Sequence, residues 1–510
     1  MSPSPSDKRR SLVLPQAPAA ALSSGTLQAA DQLDVVLAIV ALPLAAGVLG
    51  ELPRSARWQA LHARAAARAG TVRSGSLGNR RDTLAVLGYI KSDASAFERL
   101  SLAGRMLKEA AARHPRALGL CAGGSGAAAD ANLEALIAAS LAQAFQLPAM
   151  RAPARDERPL QRVVLLGRHA VDTRFAAAVA RGTNLTRWLT ALPPNVLDAQ
   201  AYRAAITRLA RAHRLKLSWL DERALKRAGA GAFLAVAQGN ASRDAGIAHL
   251  QYRPARRARG GRPDVALIGK GILFDTGGVN LKPHRSMLDM HTDMSGSAVA
   301  LATLVALAEL RAPLAADAWL AISENNIGPR AYRPQEVVRT ASGITIQVIH
   351  TDAEGRMVLA DTLALAARTR PRFMLDFATL TGACVYALTE RMSGAFSNRP
   401  ALAAALYEAG RASGERVWNF PSEEDYDAEL ESKVADVIQC TVDGKGDHIL
   451  ATRFLSRFVP PEIPWAHIDL SSSTRTGGLA HVASEVTGFG VRFALELLLK
   501  QNVLKTLAQK

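Results

Sequence analysis

Cysteine is nearly absent from this 510-residue chain: only Cys121, Cys384 and Cys440 occur, far apart and odd in number. They fit no disulfide framework and no cysteine-based metal spacing, so a reducing, cytoplasmic setting is expected. Aromatic residues are scarce at 5%, leaving Leu, Val and abundant Ala to fill the interior and favouring helices packed through small side chains. The first long apolar run, residues 35–50, contains Pro43 and falls short of the roughly 20 residues a membrane helix needs. It also lies too far from the cationic Lys8, Arg9 and Arg10 to complete a secretory signal. It reads as a buried strand and its turn, and no membrane partner is expected.

Acidic residues are the other shortage, 45 Asp and Glu against 62 Lys and Arg, giving a net charge of +17. Residues 1–190 hold 24 of the cations against 13 acids, and Arg253, Arg256, Arg257, Arg259 and Arg262 form a second knot. Such an excess raises DNA as a partner. No zinc-finger, RRM or helix-turn-helix pattern accompanies it, so the charge reads first as a solvated, Arg-rich surface.

What is present is a globular composition, 49% hydrophobic and 21% charged, in a chain long enough for two or more domains. Residues 1–32 read as a flexible extension. From 33 to 170, apolar strand-like runs (Val35–Val40, Thr83–Ile90, Ala117–Cys121, Val163–Leu166) alternate with helical stretches such as Trp58–Arg68 and Asn132–Phe145, which is an α/β domain. Residues 171–194 have helical periodicity up to Pro193-Pro194 and read as a linker helix. In 195–510, strands at Val265–Ile268, Ala318–Ser323, Ile344–Ile349, Phe373–Phe377 and Trp465–Leu470 alternate with helices at Ser297–Leu310, Met357–Thr369, Ile449–Phe458 and Val491–Leu499. The expected fold is thus α/β with two α/β domains, the C-terminal one carrying a mixed, largely parallel sheet flanked by helices. Functional groups should gather where those strands end at their carboxyl edge.

Two motifs follow strands in that way. One runs from Lys270 through Asp275, Gly277 and Gly278 to Lys282, then Asp289-Met290-His291-Thr292-Asp293. The other is His350-Thr351-Asp352-Ala353-Glu354-Gly355-Arg356, in which two acids one residue apart can converge on a common ion. Four acids, Asp275, Asp293, Asp352 and Glu354, are more negative charge than one pocket tolerates without cations. Two divalent ions bridged by shared carboxylates would resolve this and form a hydrolytic site. The oxygen-rich set suits Mn or Mg, and a nitrogen ligand adds Zn. Lys270 could ligate only as a neutral amine.

At these residues the sequence resembles the leucine aminopeptidase, or cytosol aminopeptidase, family. Thr351 to Arg356 is nearly its whole signature and Lys270 to Gly278 the companion. Further matches run through Pro193-Pro194-Asn195, Gly231–Gly239, Tyr332-Arg333-Pro334, Ala378–Ala383 and Thr487–Gly490. The resemblance implies a metal-dependent aminopeptidase acting on short peptides with a free N-terminus. It assigns Lys270, Asp275, Asp293 and Glu354 to one metal and Asp275, Asp352 and Glu354 to the other, the ions being Mn or Zn with Co or Mg as alternatives. It makes Lys282 a cationic electrophile and Arg356 the holder of a bicarbonate base. It places Met290, Thr379, Thr381, Gly382 and Ser471 at the substrate, and it implies a homohexamer. Two departures stand out: His350 where the family usually has Asn, and Ser471-Ser472 in place of a small Ala-Gly pair.

His284, His291, His467 and His481 read as structural or surface groups and Cys384 as a packed thiol. Two other readings stand beside the peptidase: a DNA-binding or structural hexamer, and a two-metal hydrolase of another bond such as a phosphoester.

Overall fold

The computed structural model describes residues 14, 20–151, 159–255 and 261–508. Lys8, Arg9, Arg10, Arg256, Arg257 and Arg259 lie outside them.

The first sheet uses β1 (Ala21–Gly25), β2 (Val35–Leu42), β3 (Val72–Ser76), β4 (Leu84–Lys91), β5 (Ala117–Ala122) and β6 (Arg162–Leu166) in the order β1-β6-β5-β2-β4-β3. All neighbours are parallel except β3 and β4. Central β2 is a continuous apolar run, Val35 to Val40, with no exposed surface, as a strand covered on both faces must be. Each Val, Leu or Ile side chain in it contributes roughly 1.5–3 kcal/mol of burial.

The expected flexible extension needs correcting at its end. Ala21–Gly25 is an edge strand parallel to β6, and a 3₁₀ helix follows at Leu27–Gln32. Backbone bonds hold the strand, Ala21 N–H to the Gln161 carbonyl at 2.8 Å and Gly167 N–H to the Gly25 carbonyl at 3.0 Å, so a weakly apolar sequence suffices.

The second sheet contains β7 (Lys216–Asp221), β8 (Gly246–Tyr252), β9 (Val265–Asp275) and β10 (Ala316–Asn325). A separate three-stranded sheet takes β11 (Val337–Arg339) and β12 (Thr345–Gln347). Then come β13 (Phe373–Ala378), β14 (Ser393–Ser397) and β15 (Val417–Asn419), β16 (Val437–Ile438) of the small sheet, and β17 (Trp465–Asp469). The large sheet runs β15-β14-β17-β13-β9-β10-β8-β7, with β17, β13, β9 and β10 parallel at its centre. The α/β class is therefore as expected. The stretch Ile344–Ile349 differs: only three of its residues form a strand, and that strand belongs to the small sheet.

The helix Thr173–Thr190, N-capped by Asp172, shares a core with the helix Ser295–Leu310 and is more than a spacer. Its Asn184 and Arg187 donate to the carbonyls of Leu141 and Ala142 at 3.1 and 3.2 Å. These bonds tie the first α/β unit to the second through buried polar groups. Among the described residues, the one helical stretch apolar and long enough to cross a bilayer is His284–Leu310, and 83% of its most apolar window is buried inside the protein.

Candidate metal centre

Four adjacent parallel strands deliver the site from their carboxyl ends: β9 ends at Asp275, β10 at Asn325, β13 runs into Thr379 and β17 ends at Asp469. Lys270 lies inside β9, five residues before Asp275. Strict alternation would point these two side chains to opposite faces. The register prevents it: Ile272 pairs with Ser323 but Asp275 pairs with Asn325, so β9 carries one extra residue. Such a bulge reverses the alternation and brings Asp275 to the Lys270 face. Asn325, opposite Asp275, donates to its Oδ1 at 2.8 Å and to the Thr351 carbonyl at 3.0 Å.

Asp293 comes from the turn before the helix Ser295–Leu310, and Glu354 opens the helix Glu354–Ala367. Asp275, Asp293 and Glu354 are all buried, and a ligand oxygen from each lies within 4.8 Å of the others. Lys270 Nζ sits among them, 2.8 Å from Asp293 Oδ2 and 2.9 Å from Glu354 Oε1, and donates to the Thr379 carbonyl at 2.9 Å. Lys282 Nζ lies between Asp275 Oδ2 at 2.9 Å and Asp352 Oδ1 at 2.5 Å. Six of the residues that the resemblance assigns to metals and catalysis, all but Arg356, thus meet in one region, with Asp352 joined to Asp275 across Lys282.

The electrostatics are those of too many acids in too little water. Burial pushes the Glu354 carboxyl up to about 7, with the Asp275 charge adding, and Asp352 to about 7 for the same reasons; burial lifts Asp293 to about 6. Burial also disfavours the ammonium of Lys270, but the pull of Asp293, Glu354 and Asp275 outweighs it and raises its pKa; Lys282 is raised likewise. An ion pair ordinarily lowers its acid, so Asp293 and Lys270 rising together means that burial and neighbouring acids outweigh the one ammonium at Asp293. Buried oxygens converging with net negative charge fit divalent cations.

Arg356 is 2% exposed. Its Nη2 pairs with Asp447 Oδ2 at 2.7 Å and its Nη1 donates to the Gln439 carbonyl at 3.2 Å. The Gln439 side chain accepts from the N–H groups of Ile349 and His350, both at 3.1 Å, and donates to the Ala353 carbonyl at 3.0 Å, fixing the loop before Glu354. His350 accepts from the Asp352 N–H at 3.3 Å, and burial, with the Lys282 and Arg356 charges, lowers its pKa.

The residues expected on the substrate side are placed as follows. Thr379 donates its hydroxyl to Asp293 Oδ1 at 2.6 Å, which occupies it in positioning an acid. Thr381 caps the helix Gly382–Leu388 and donates to Asp469 Oδ2 at 2.7 Å. Gly382 faces open space and Met290 is half-buried. Ser471 donates to the Met392 carbonyl at 2.7 Å and lies 3.5 Å from Cys384 Sγ. Burial pushes that thiol up to about 12, which leaves it a packed group without nucleophilic character. His467 is fully buried against Asp376 at 2.6 Å.

The sequence reading missed Asn325, Gln439, Asp447 and Asp469. Asn325 and Asp469 end strands and were findable on that ground. Asp447 follows Gly444-Lys445-Gly446 at a helix start, a position where an acid is unremarkable.

Residues 184–495 match the profile described as "Cytosol aminopeptidase family, catalytic domain". A probable cytosol aminopeptidase of Stutzerimonas stutzeri (strain A1501) is 42% identical over 331 residues, 63% of this chain and 65% of that protein. One of Parasynechococcus marenigrum (strain WH8102) is 37% identical over 429 residues, 82% and 86% of the two chains. Among solved structures, the bottromycin maturation enzyme BotP in complex with Mn is 29% identical with a TM-score of 0.77, covering 92% of this chain and 99% of that one. The cytosol aminopeptidase from Coxiella burnetii is 26% identical with a TM-score of 0.76, covering 92% and 97%. The first of these alignments thus spans just under two-thirds of its curated relative.

Proposed function

The chain belongs to the cytosol aminopeptidase family, and from that premise we propose that it is a metal-dependent aminopeptidase of the cytoplasm that hydrolyses the N-terminal peptide bond of short peptides. The observation that carries this reading is the convergence of buried Asp275, Asp293 and Glu354 around Lys270. Asp275 and Glu354 would bridge two divalent ions, Mn or Zn with Co or Mg as alternatives; Lys270 and Asp293 would complete one ligand set and Asp352 the other. Such ions supply an activated water and polarise the scissile carbonyl. Lys282, partly exposed beside Asp275 and Asp352, would neutralise the oxyanion as it forms. Thr379 and Asn325 hold the acids in place, and Met290, Gly382 and Ser471 would border the substrate side chain. The resemblance implies that Arg356 would hold bicarbonate as the base; its Nη2 and Nη1 meet Asp447 and the Gln439 carbonyl, and its buried Nε takes no hydrogen-bond partner among the described residues. We also propose the homohexamer, which light scattering would report as a mass six times that of the chain.

Metal-stripped protein assayed on aminoacyl p-nitroanilides, before and after adding each metal, tests the reading. Activity restored by metal, absent in Glu354→Ala and accompanied by no phosphoester hydrolysis is expected; inactivity with every metal and substrate refutes it.

A second reading, DNA binding, is favoured by a groove of about 1230 Å³ lined by Arg214, Arg253, Arg311, Arg372, Lys500 and Lys505 with only Asp172 and Asp264 as acids. It borders the start of β9, away from the carboxylates at that strand's other end. Duplex binding that falls steeply with salt would support it.

A further inference from the structure

β13 ends at Ala378, and the chain turns through Thr379, Leu380 and Thr381 before the helix Gly382–Leu388 begins. The first residue of that turn serves two members of the charged centre at once: its carbonyl accepts from Lys270 Nζ at 2.9 Å and its hydroxyl donates to Asp293 Oδ1 at 2.6 Å. We propose that Asp469 is the positioning residue for this half of the metal centre, holding the turn so that Thr379 orients Lys270 and Asp293; this rests on the metal-dependent reading above.

Register and burial place Asp469 for that task. β17 runs parallel to β13, with His467 beside Asp376 and Asp469 beside Ala378. The Asp469 side chain, 1% exposed, therefore stands where β13 runs out and reaches the turn that follows. Its Oδ1 accepts from the N–H groups of Leu380 and Thr381 at 3.0 and 3.4 Å, and its Oδ2 accepts from the Thr381 hydroxyl at 2.7 Å. Every hydrogen bond that reaches this carboxylate from the described residues comes from the turn. Capping of the next helix does not require it, since Thr381 itself accepts the Cys384 N–H at 3.2 Å. Burial pushes the Asp469 carboxyl above the usual range, against the pull of the His467 charge. A buried acid is costly unless its hydrogen bonds offset the lost water, and here all of them go to one turn.

The other side of the turn is already fixed. A Cβ on Gly296, three residues after Asp293, would collide with the Phe377 carbonyl, so the backbone that follows Asp293 lies directly against the end of β13. That contact leaves residues 379–381 as the part that can shift relative to Asp293, and Asp469 as what prevents the shift. Partners of this kind, one step removed from a metal, set the orientation of the groups that bind it.

The test titrates Mn alone into metal-stripped wild type, Asp469→Ala, Asp469→Asn, Thr379→Val and the double variant Asp469→Ala/Thr379→Val by calorimetry, with hydrolysis of an aminoacyl p-nitroanilide measured alongside. Asp469→Ala should weaken Mn binding by about 10- to 100-fold, the usual effect of losing a group that orients a ligand. Asp469→Asn keeps an acceptor for the two N–H groups and should recover most of that loss. The double variant should lose clearly less than the two single losses combined, because both act through the Thr379 hydroxyl; a merely structural role for Asp469 would give additive losses. Wild-type Mn affinity in Asp469→Ala, additive losses in the pair, or Asp469→Asn as weak as Asp469→Ala would overturn the proposal, the last by making charge and not the held turn the cause. Should Asp469→Ala not fold, Thr381→Val decides: it takes the hydroxyl from Asp469 Oδ2 without shortening the side chain, so Mn affinity should fall, and an unchanged affinity overturns the proposal. Mn binding with the expected ranking in a protein that hydrolyses no anilide would support the positioning role and sink the aminopeptidase reading alone.

Discussion

Gly355 offers the sharpest single-atom perturbation of the centre. It follows Glu354 in the first turn of the helix Glu354–Ala367, where alanine is conformationally allowed and gains up to about 1 kcal/mol in helix propensity. Space forbids it: a Cβ would lie 2.6 Å from Lys270 Cε, 2.7 Å from Nζ and 2.9 Å from Cδ. Ordinary carbon contacts are about 3.5–4.0 Å, so Lys270 would have to retreat by roughly 1 Å. It is held by Asp293, Glu354 and the Thr379 carbonyl at 2.8, 2.9 and 2.9 Å, so the retreat breaks contacts that position two acids. Overpacking of this kind costs about 1–3 kcal/mol, and a misplacement of about 1 Å at a reacting centre can cost about 10²-fold in rate. Gly355→Ala should therefore lower kcat/KM on a p-nitroanilide by about two orders of magnitude and reduce bound metal after dialysis, with no gain in melting temperature. A higher melting temperature with unchanged rate and metal content would mean that propensity, and not the Lys270 contact, sets this position, and would refute the argument.

Two buried acids make further predictions of opposite sign. Asp376 accepts from His467 at 2.6 Å and Trp465 at 2.7 Å; burial disfavours the His467 cation, but Asp376 outweighs it and raises its pKa. That contribution is full below about pH 6.5 and is lost as pH rises through the folded-state value, so Asp376→Asn should cost about 3–5 kcal/mol in urea unfolding at pH 6 and distinctly less at pH 9. Glu415 accepts from the N–H groups of Gly490 and Phe493 at 2.9 and 2.8 Å, yet burial lifts it to about 7. A carboxyl raised on folding costs stability as pH climbs from its unfolded value through 7. Glu415→Gln keeps an acceptor for both donors and should be about 1–3 kcal/mol more stable than wild type at pH 8, with no difference near pH 4; equal stability at pH 8 would count against the buried charge.

The central strands β2, β4, β5 and β6 of one sheet and β9, β10, β13 and β17 of the other were legible because they are apolar runs, and the four acids because they cluster in two short motifs that follow apolar runs in the sequence. What escaped was whatever depends on tertiary partners. The helix expected over Trp58–Arg68 stops at Ala63; Arg73 takes the His62 carbonyl at 2.5 Å, which a helix continuing to Arg68 would have bonded internally, and also those of Ala65 and Ala66 at 2.9 and 2.8 Å. β1 is held by backbone bonds that ask little of its side chains. The bulge that turns Asp275 toward Lys270 has no sign in the sequence other than the two residues' odd spacing. Asp447 could not be distinguished from an ordinary helix-start acid until Arg356 was seen against it.

Lys270 poses the question on which the ligand set depends, because the surrounding acids hold it as an ammonium and an ammonium cannot ligate. Near pH 6.5, with Asp352 and Glu354 at about 7 and Asp293 at about 6, metal binding should expel protons from carboxylates and amine alike. At pH 8.5 those carboxyls are already ionised, so any proton released comes from Lys270 or from a bound water. The water contributes equally in a Lys270→Met protein and cancels in the difference. Calorimetric metal titrations in two buffers of different ionisation enthalpy should therefore show wild type releasing about one proton more than Lys270→Met at pH 8.5. If both release the same number, Lys270 stays charged when the metals enter, and its place is that of a counter-ion between Asp293 and Glu354, leaving one metal to be held by carboxylates alone.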